Sequence, residues 1–232
     1  MASPKRVDRA LWCGSYITTY LERDVRNLAN IGDLNQFERF LRLCAARTAQ
    51  LLNLSEMARE IGVSVPTAKR WLSVLETGYQ VYLLYPYYRN IGKRLVKSPK
   101  LYFTDTALAS YLLGIHHADT LENSPSFGAL FETAVVCDVL KRFLHSGELP
   151  SLYYLKSRDG LEVDLVIERA GKLHLFEIKS TATLTPKHAA SLARLSGEMK
   201  TTVASASIFS RARDRFVTGK IVNLHWETAL AL

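Results

Sequence analysis

The sequence predicts an α/β protein in two parts, N-terminal helices and a winged helix-turn-helix followed by an α/β sandwich. Three features carry this reading. Helical periodicity fills the first part and includes two short helices joined by a tight turn at Gly62. A strand-rich run and a basic loop follow that pair. The second part then alternates a long helix, three strands, a helix and two more strands.

Composition narrows the class. The chain has 232 residues, 48% hydrophobic and 22% charged, so it can bury a core and is no disordered polymer. Its net charge of +8 fits a nucleic-acid partner. Residues 1–120 carry 16 basic against 10 acidic residues, and the rest carry 14 against 12. No acidic residue lies between Glu76 and Asp105, a stretch that holds Arg89, Lys93, Arg94, Lys97 and Lys100. Cys13, Cys44 and Cys137 are scattered and form no CxxC, which disfavours a zinc site or a disulfide framework and favours small buried residues. No apolar run reaches the ~20 residues of a membrane span. The N-terminus lacks the pattern of a signal peptide. A cytoplasmic protein without a membrane partner is the expectation.

In chain order, residues 15–29 read as a helix with Tyr16, Tyr20, Leu21 and Leu28 inward and Glu22, Arg23, Asp24 and Arg26 outward. Residues 34–47 repeat the pattern with Phe37, Phe40, Leu41 and Cys44. Residues 1–48 form a helical segment; a winged helix-turn-helix is expected over 49–118 and the sandwich over 119–232. In the helix-turn-helix, Ser55 caps a short helix that buries Met57, Ala58 and Ile61 and stops at Gly62. Pro66 then opens a second helix that buries Trp71, Leu72 and Leu75. Thr67, Lys69 and Arg70 stay outside as DNA-contacting residues. The strand-like run at 79–88, the basic loop and a strand at 101–104 make the wing. Its Arg89, Lys93, Arg94, Lys97 and Lys100 are expected on phosphates.

In the second part, residues 125–146 read as a helix that places Glu132 on an apolar face with Val135, Val136, Val139 and Phe143. Strands are expected at 152–156, 162–169, 172–181, 202–209 and 216–226, with a helix at 186–195. Alternation puts Glu162, Asp164 and Val166 on one face of the second strand, and Glu177 and Lys179 together on the third. A two-residue turn at Ala170-Gly171 sets Asp164 opposite Glu177 and Glu162 opposite Lys179. Facing carboxylates are unfavourable unless compensated, and a hard divalent ion, Mg²⁺ or Mn²⁺, compensates them. A nearby lysine adds what phosphodiester hydrolysis requires. A plain Glu162–Lys179 cross-strand ion pair is the competing reading.

Glu132, Asp164 and Glu177-Ile178-Lys179 resemble the PD-(D/E)XK nuclease signature, whose fold has a mixed sheet. With Tyr153-Tyr154, Arg158, Glu162-Val163, YLERDV at 20–25, LYFTDTALASYLLG at 101–114 and FGALFE at 127–132, the chain resembles the C-terminal region that follows the P-loop ATPase module in many prokaryotic AAA-type ATPases. The resemblance spans about Tyr16 to Leu195. It implies Glu132, Asp164 and Glu177 as metal ligands, Asp164, Glu177 and Lys179 as catalytic residues, and a nuclease-like domain over 119–232. Arg158 and Glu162 match the pattern without a role. The sequence has no GxxxxGK[ST], so no ATP site is expected in it; residues 1–30 look like the tail of the ATPase module. The expected function is DNA binding with a metal-dependent endonuclease, acting on double-stranded DNA, with an ATPase in trans or a homo-oligomer as partner. The alternative is a DNA-binding or assembly module without catalysis.

Overall fold

The computed structural model describes residues 8–25, 33–87, 97–157, 160–199 and 201–227. Helix α1 (Arg9–Thr19) starts earlier than periodicity suggests because the Asp8 side chain accepts from the Ala10 and Leu11 N–H groups at 2.9 and 3.1 Å. It continues as a π-helical turn over Tyr20–Val25. Arg26, Leu28 and the side chains of Glu22 and Asp24 lie outside the described residues. Helix α2 (Leu34–Ala46) buries Phe37, Phe40, Leu41 and Cys44 as the spacing predicts.

After a short β1 (Gln50–Leu51) comes α3 (Leu54–Ile61). Its cap is Asn53, not Ser55: Asn53 accepts from the Glu56 N–H at 3.2 Å and donates to the Glu56 carboxylate at 3.0 Å. Gly62, at φ 81, ends the helix in the left-handed conformation, where other residues are strained. Helix α4 (Val65–Thr77) is capped by Ser64 and buries Trp71, Leu72 and Leu75. Strands β2 (Val81–Leu84) and β3 (Lys100–Phe103) complete an antiparallel sheet in the order β1-β3-β2. Short helices α5 (Thr106–Leu112) and α6 (Ala118–Glu122) lead on to the long α7 (Phe127–His145).

The second sheet holds β4 (Leu152–Lys156), β5 (Glu162–Arg169), β6 (Lys172–Lys179), β7 (Val203–Ser210), β8 (Val217–Thr218) and β9 (Ile221–His225). Their order is β4-β5-β6-β7-β9-β8. The β6–β7 and β7–β9 pairs are parallel and the other pairs antiparallel, so the sheet is mixed. Helix α7 covers one face through Val135, Val136 and Phe143 against Leu165, Phe176 and Phe209. Helix α8 (Ala190–Glu198) covers the other through Leu192 and Leu195 against Val163, Val166 and Leu175. The single strand expected at 216–226 is instead the β8–β9 hairpin, turned at Gly219 with φ 60. Cys13, Cys44 and Cys137 are buried and form no disulfide. Among the described residues, no helix is long and apolar enough to cross a membrane.

Two local features aim the chemistry. Ala170 and Gly171 both have positive φ, 49 and 73, which makes the tight turn and sets Arg169 opposite Lys172 and Leu165 opposite Phe176, the expected register. The β4–β5 register slips: Tyr153 pairs with Val166 but Leu155 with Val163, so Tyr154 faces both Asp164 and Leu165. This β-bulge breaks the simple alternation. Val163 and Val166 share the α8 side, whereas Leu165 and Ile167 share the α7 side. Val166 therefore does not share a face with Asp164 as expected, because the inserted residue inverts the pattern at the bulge. The two parts of the chain are also joined through β2 and β3. Leu84 and Tyr102 belong to the α7 core, and the Tyr87 N–H donates to the Tyr154 carbonyl at 2.8 Å.

Trp71 anchors the helix-turn-helix, with its ring edge-on to Phe37 at 5.5 Å and tilted against Phe40 at 5.7 Å. We expect Trp71→Ala to cost about 3–5 kcal/mol in urea denaturation. A midpoint equal to that of the wild type would show that this contact does not hold the first core.

Candidate functional site

Helix α7, β3, β5 and β6 converge on a cluster of acidic and basic side chains. Strand alternation in β3 sends Leu101 and Phe103 into the first core and turns Lys100 and Tyr102 toward α7. The Lys100 Nζ lies 3.1 Å from Glu132 Oε1, 2.9 Å from Glu162 Oε1 and 3.5 Å from Asp164 Oδ1. The Tyr102 hydroxyl donates to Glu132 Oε1 at 2.7 Å. Lys156 of β4 donates to Glu162 Oε2 at 2.6 Å.

Asp164 links this group to a second one. The bulge lets Asp164 Oδ2 accept the Ile178 N–H at 2.9 Å. The same oxygen is 4.0 Å from Lys179 Nζ, which donates to Glu177 Oε1 at 2.6 Å. Glu177 Oε2 is buried and has no hydrogen-bond partner among the described residues. Asp164 is 6% exposed and Glu177 8%, so water screens neither well.

The charges do not balance. Glu132, Glu162, Asp164 and Glu177 stand against Lys100, Lys156 and Lys179. Burial and then the Asp164 charge push Glu132 up to about 7, against the pull of Lys100 and Tyr102. The same two causes push Glu177 up to about 8, against Lys179. Burial also acts upward on Glu162, but Lys100 and Lys156 outweigh it and hold that carboxyl below its ordinary value. For Lys100, burial favours the neutral form, but Glu132, Asp164 and Glu162 outweigh it and raise its pKa far above that of an ordinary lysine. Among the described residues, no three His, Cys, Asp or Glu groups form a ready metal-ligand cluster. Instead, the Lys100 ammonium lies among the carboxylates.

The structure brings Glu132, Asp164, Glu177 and Lys179 into one cluster. Glu162 pairs with Lys100 and Lys156 rather than with Lys179, the partner in the competing ion-pair reading. Lys100 itself is not a solvent-facing wing residue: it is 3% exposed and held by three carboxylates, because β3 begins there and points it inward. Lys69 and Arg70 are exposed on α4. Thr67 is half-buried, its hydroxyl 2.8 Å from the Ser64 hydroxyl. Lys97 is exposed, while Arg89, Lys93, Arg94 and Arg158 lie outside the described residues. Sequence reasoning missed Tyr102, Lys156 and the true place of Lys100. The signal for two of them was present: Lys100 and Tyr102 alternate with apolar residues, and a carboxylate on an apolar helix face requires a polar partner.

A separate cavity of about 340 Å³ lies between α1, α5, α6 and α7, lined by Cys13, Tyr111, Leu130 and Trp226 among others. It contains none of the cluster residues.

Comparison with known proteins divides the chain near the start of α7. Residues 2–119 match a family described as a domain of unknown function (DUF8612). Residues 127–227 match another domain of unknown function (DUF4143). An uncharacterized protein of Mycobacterium tuberculosis is 38% identical over 176 residues, 76% of this chain and 39% of that protein. An uncharacterized protein of Mycobacterium bovis matches with the same identity and shares. The chain thus spans 39% of the length of these relatives.

The raised carboxyls have a consequence for stability. In the folded chain, Glu132 and Glu177 keep protons that the unfolded chain releases near 4.5, so stability falls as pH rises from about 4.5 toward about 8. Glu177→Gln should flatten that fall and leave the variant more stable than wild type at pH 8.5, with the difference shrinking toward pH 4.5. Urea midpoints across this range measure it; parallel curves would mean that Glu177 carries no such burden.

Proposed function

The chain belongs to the DUF8612 family, and we propose that it is a DNA-binding protein whose second part hydrolyses phosphodiester bonds with the help of a divalent cation. One observation carries the reading. Glu132, Asp164, Glu177 and Lys179, the set that resembles the PD-(D/E)XK signature, lie on one helix and two adjacent strands and meet around Asp164.

No ready three-ligand cluster is present among the described residues, but the donor type suits a hard cation such as Mg²⁺ or Mn²⁺. The set is made of carboxylate oxygens, Glu177 Oε2 is buried without a partner, and the acids outnumber the ammonium groups. Glu132, Asp164 and Glu177 would hold the ion. When bound, such a cation lowers the pKa of a water and offsets charge on a phosphate. The chain's own residues do the positioning. The Ile178 N–H fixes Asp164, and Glu177 fixes Lys179, whose ammonium can meet the growing charge on a phosphate oxygen.

The DNA-facing surface in this reading is α4. Val65, Pro66, Lys69, Arg70 and Ser73 are exposed on it, at the start and along one side of the second helix of the helix-turn-helix. A three-stranded sheet follows it in the chain, and Arg89, Lys93 and Arg94, expected on phosphates, lie outside the described residues. An ATPase module, on a longer chain or in trans, is the partner implied by the resemblance to AAA-type ATPases. A second reading, a DNA-binding module without catalysis, is favoured by the Lys100 ammonium, which offsets charge on Glu132 and Asp164 without any metal.

Supercoiled plasmid with Mg²⁺ or Mn²⁺ separates the two. Nicking by wild type, lost with EDTA and reduced at least about 100-fold in Asp164→Asn and Lys179→Ala, is expected from removal of charge-stabilising groups. Both variants should keep duplex affinity within a few-fold. Equal nicking by both variants would discard the site assignment; absent nicking with salt-sensitive duplex binding would favour the second reading. Lys69→Ala with Arg70→Ala should weaken duplex binding and lower the slope of log K against log salt by up to ~2. An unchanged slope would remove α4 from the interface.

A further inference from the structure

Of the cluster residues, Lys100 and Tyr102 come from the first part of the chain, whereas Glu132, Glu162, Asp164 and Glu177 come from the second. Lys100 Nζ is within 3.5 Å of carboxylate oxygens from Glu132 and Asp164, two of the three groups that would hold a cation. A divalent ion takes its oxygen ligands at about 2.0–2.6 Å. An ammonium and a divalent ion cannot both occupy the gap between Glu132 Oε1 and Asp164 Oδ1 without strong repulsion. Glu162 changes the picture. It holds Lys100 at 2.9 Å through one oxygen and Lys156 through the other, and the metal-ligand set does not include it. From its single position Lys100 thus already touches a third acid, which would keep it paired if it moved off Glu132 and Asp164.

We propose that Lys100 is a built-in counter-cation that competes with the divalent ion for Glu132 and Asp164, retreats onto Glu162 when the ion binds, and so lets the first part of the chain set the metal affinity of the second. The inference rests on the metal-dependent reading above. It also gives Glu162, which matched the nuclease-like pattern without a role, a task as the resting place of the lysine. Tyr102 stays on Glu132 in both states and keeps that carboxylate oriented.

The test uses the full chain and Mn²⁺ alone, followed by calorimetry and by the electron-spin resonance signal of free Mn²⁺. Lys100→Gln should tighten Mn²⁺ binding by about tenfold or more, since one positive charge leaves a poorly screened site. Lys100→Arg should stay near wild type. Glu177→Gln added to Lys100→Gln should abolish the gain, which places the ion at this cluster. Equal or weaker binding by Lys100→Gln overturns the inference and leaves the metal reading standing. No binding by wild type or Lys100→Gln removes both. A fold-independent check follows the lysine ε-CH₂ signals of the wild-type chain by NMR, with Lys100 assigned from the Lys100→Arg spectrum. Mg²⁺ should shift the Lys100 signal and leave the Lys172 signal in place. An unmoved Lys100 signal at saturating Mg²⁺ overturns the inference.

Discussion

Crowding four carboxylates together, with Asp164 and Glu177 buried, requires nearby positive charge, and the Lys100 ion pairs with Glu132, Glu162 and Asp164 supply part of it. Much of the arrangement follows from that requirement. Because the cation comes from β3 and the acids from α7 and β5, the pairs tie the three-stranded sheet to the six-stranded one. The apolar packing agrees with this. Tyr102 and Leu84 leave the first core and join the one under α7, so the charged cluster has a dry wall built by both parts. A surface ion pair of the same geometry would contribute little, but burial makes the pairing obligatory: loss of either partner strands a charge.

The bulge at Asp164–Leu165 is the second constraint. A regular β5 would place Asp164 with Val166 on one face, and its carboxylate could serve only one side of the sheet. The extra residue opposite Tyr154 turns the strand so that one Asp164 oxygen reaches Lys100 while the other takes the Ile178 N–H near Lys179. Asp164 therefore couples two groups that the sheet would otherwise keep apart. Its charge is also a main reason, after burial, that Glu132 and Glu177 hold their protons so firmly.

The helix-turn-helix and the charged cluster are built on opposite principles. On α4 the ionisable Lys69 and Arg70 face water, available to an external anion, and the apolar residues Trp71, Leu72 and Leu75 make the inner contacts. In the cluster the ionisable groups face one another. If a polyanion is the partner proposed above, it would meet the first surface through screened, salt-sensitive attraction.

Local signals determined much of this protein. Helical spacing located α2, α4 and α7 with their buried faces, Gly62 and Pro66 marked the turn between α3 and α4, and the Ala170-Gly171 turn fixed the β5–β6 register. These depend on contacts between residues close in the chain, where periodicity and turn chemistry decide. The proximity of Glu132, Asp164, Glu177 and Lys179 was also legible, because their types and spacing form a pattern. The rest was settled only by the folded backbone, some of it locally and some at long range. The choice of Asn53 over Ser55 as a cap depended on backbone geometry, and the split of the last strand into β8 and β9 on a turn at Gly219. The bulge at Asp164 needed β4 alongside it. The place of Lys100 was decided only when β3 packed against α7: in sequence it is one cation among five in a basic stretch, and in the fold the acids 32 or more residues away pull it inside. A linear pattern records which charges are present, but Coulomb interaction depends on distance in space, and only the tertiary structure sets that distance.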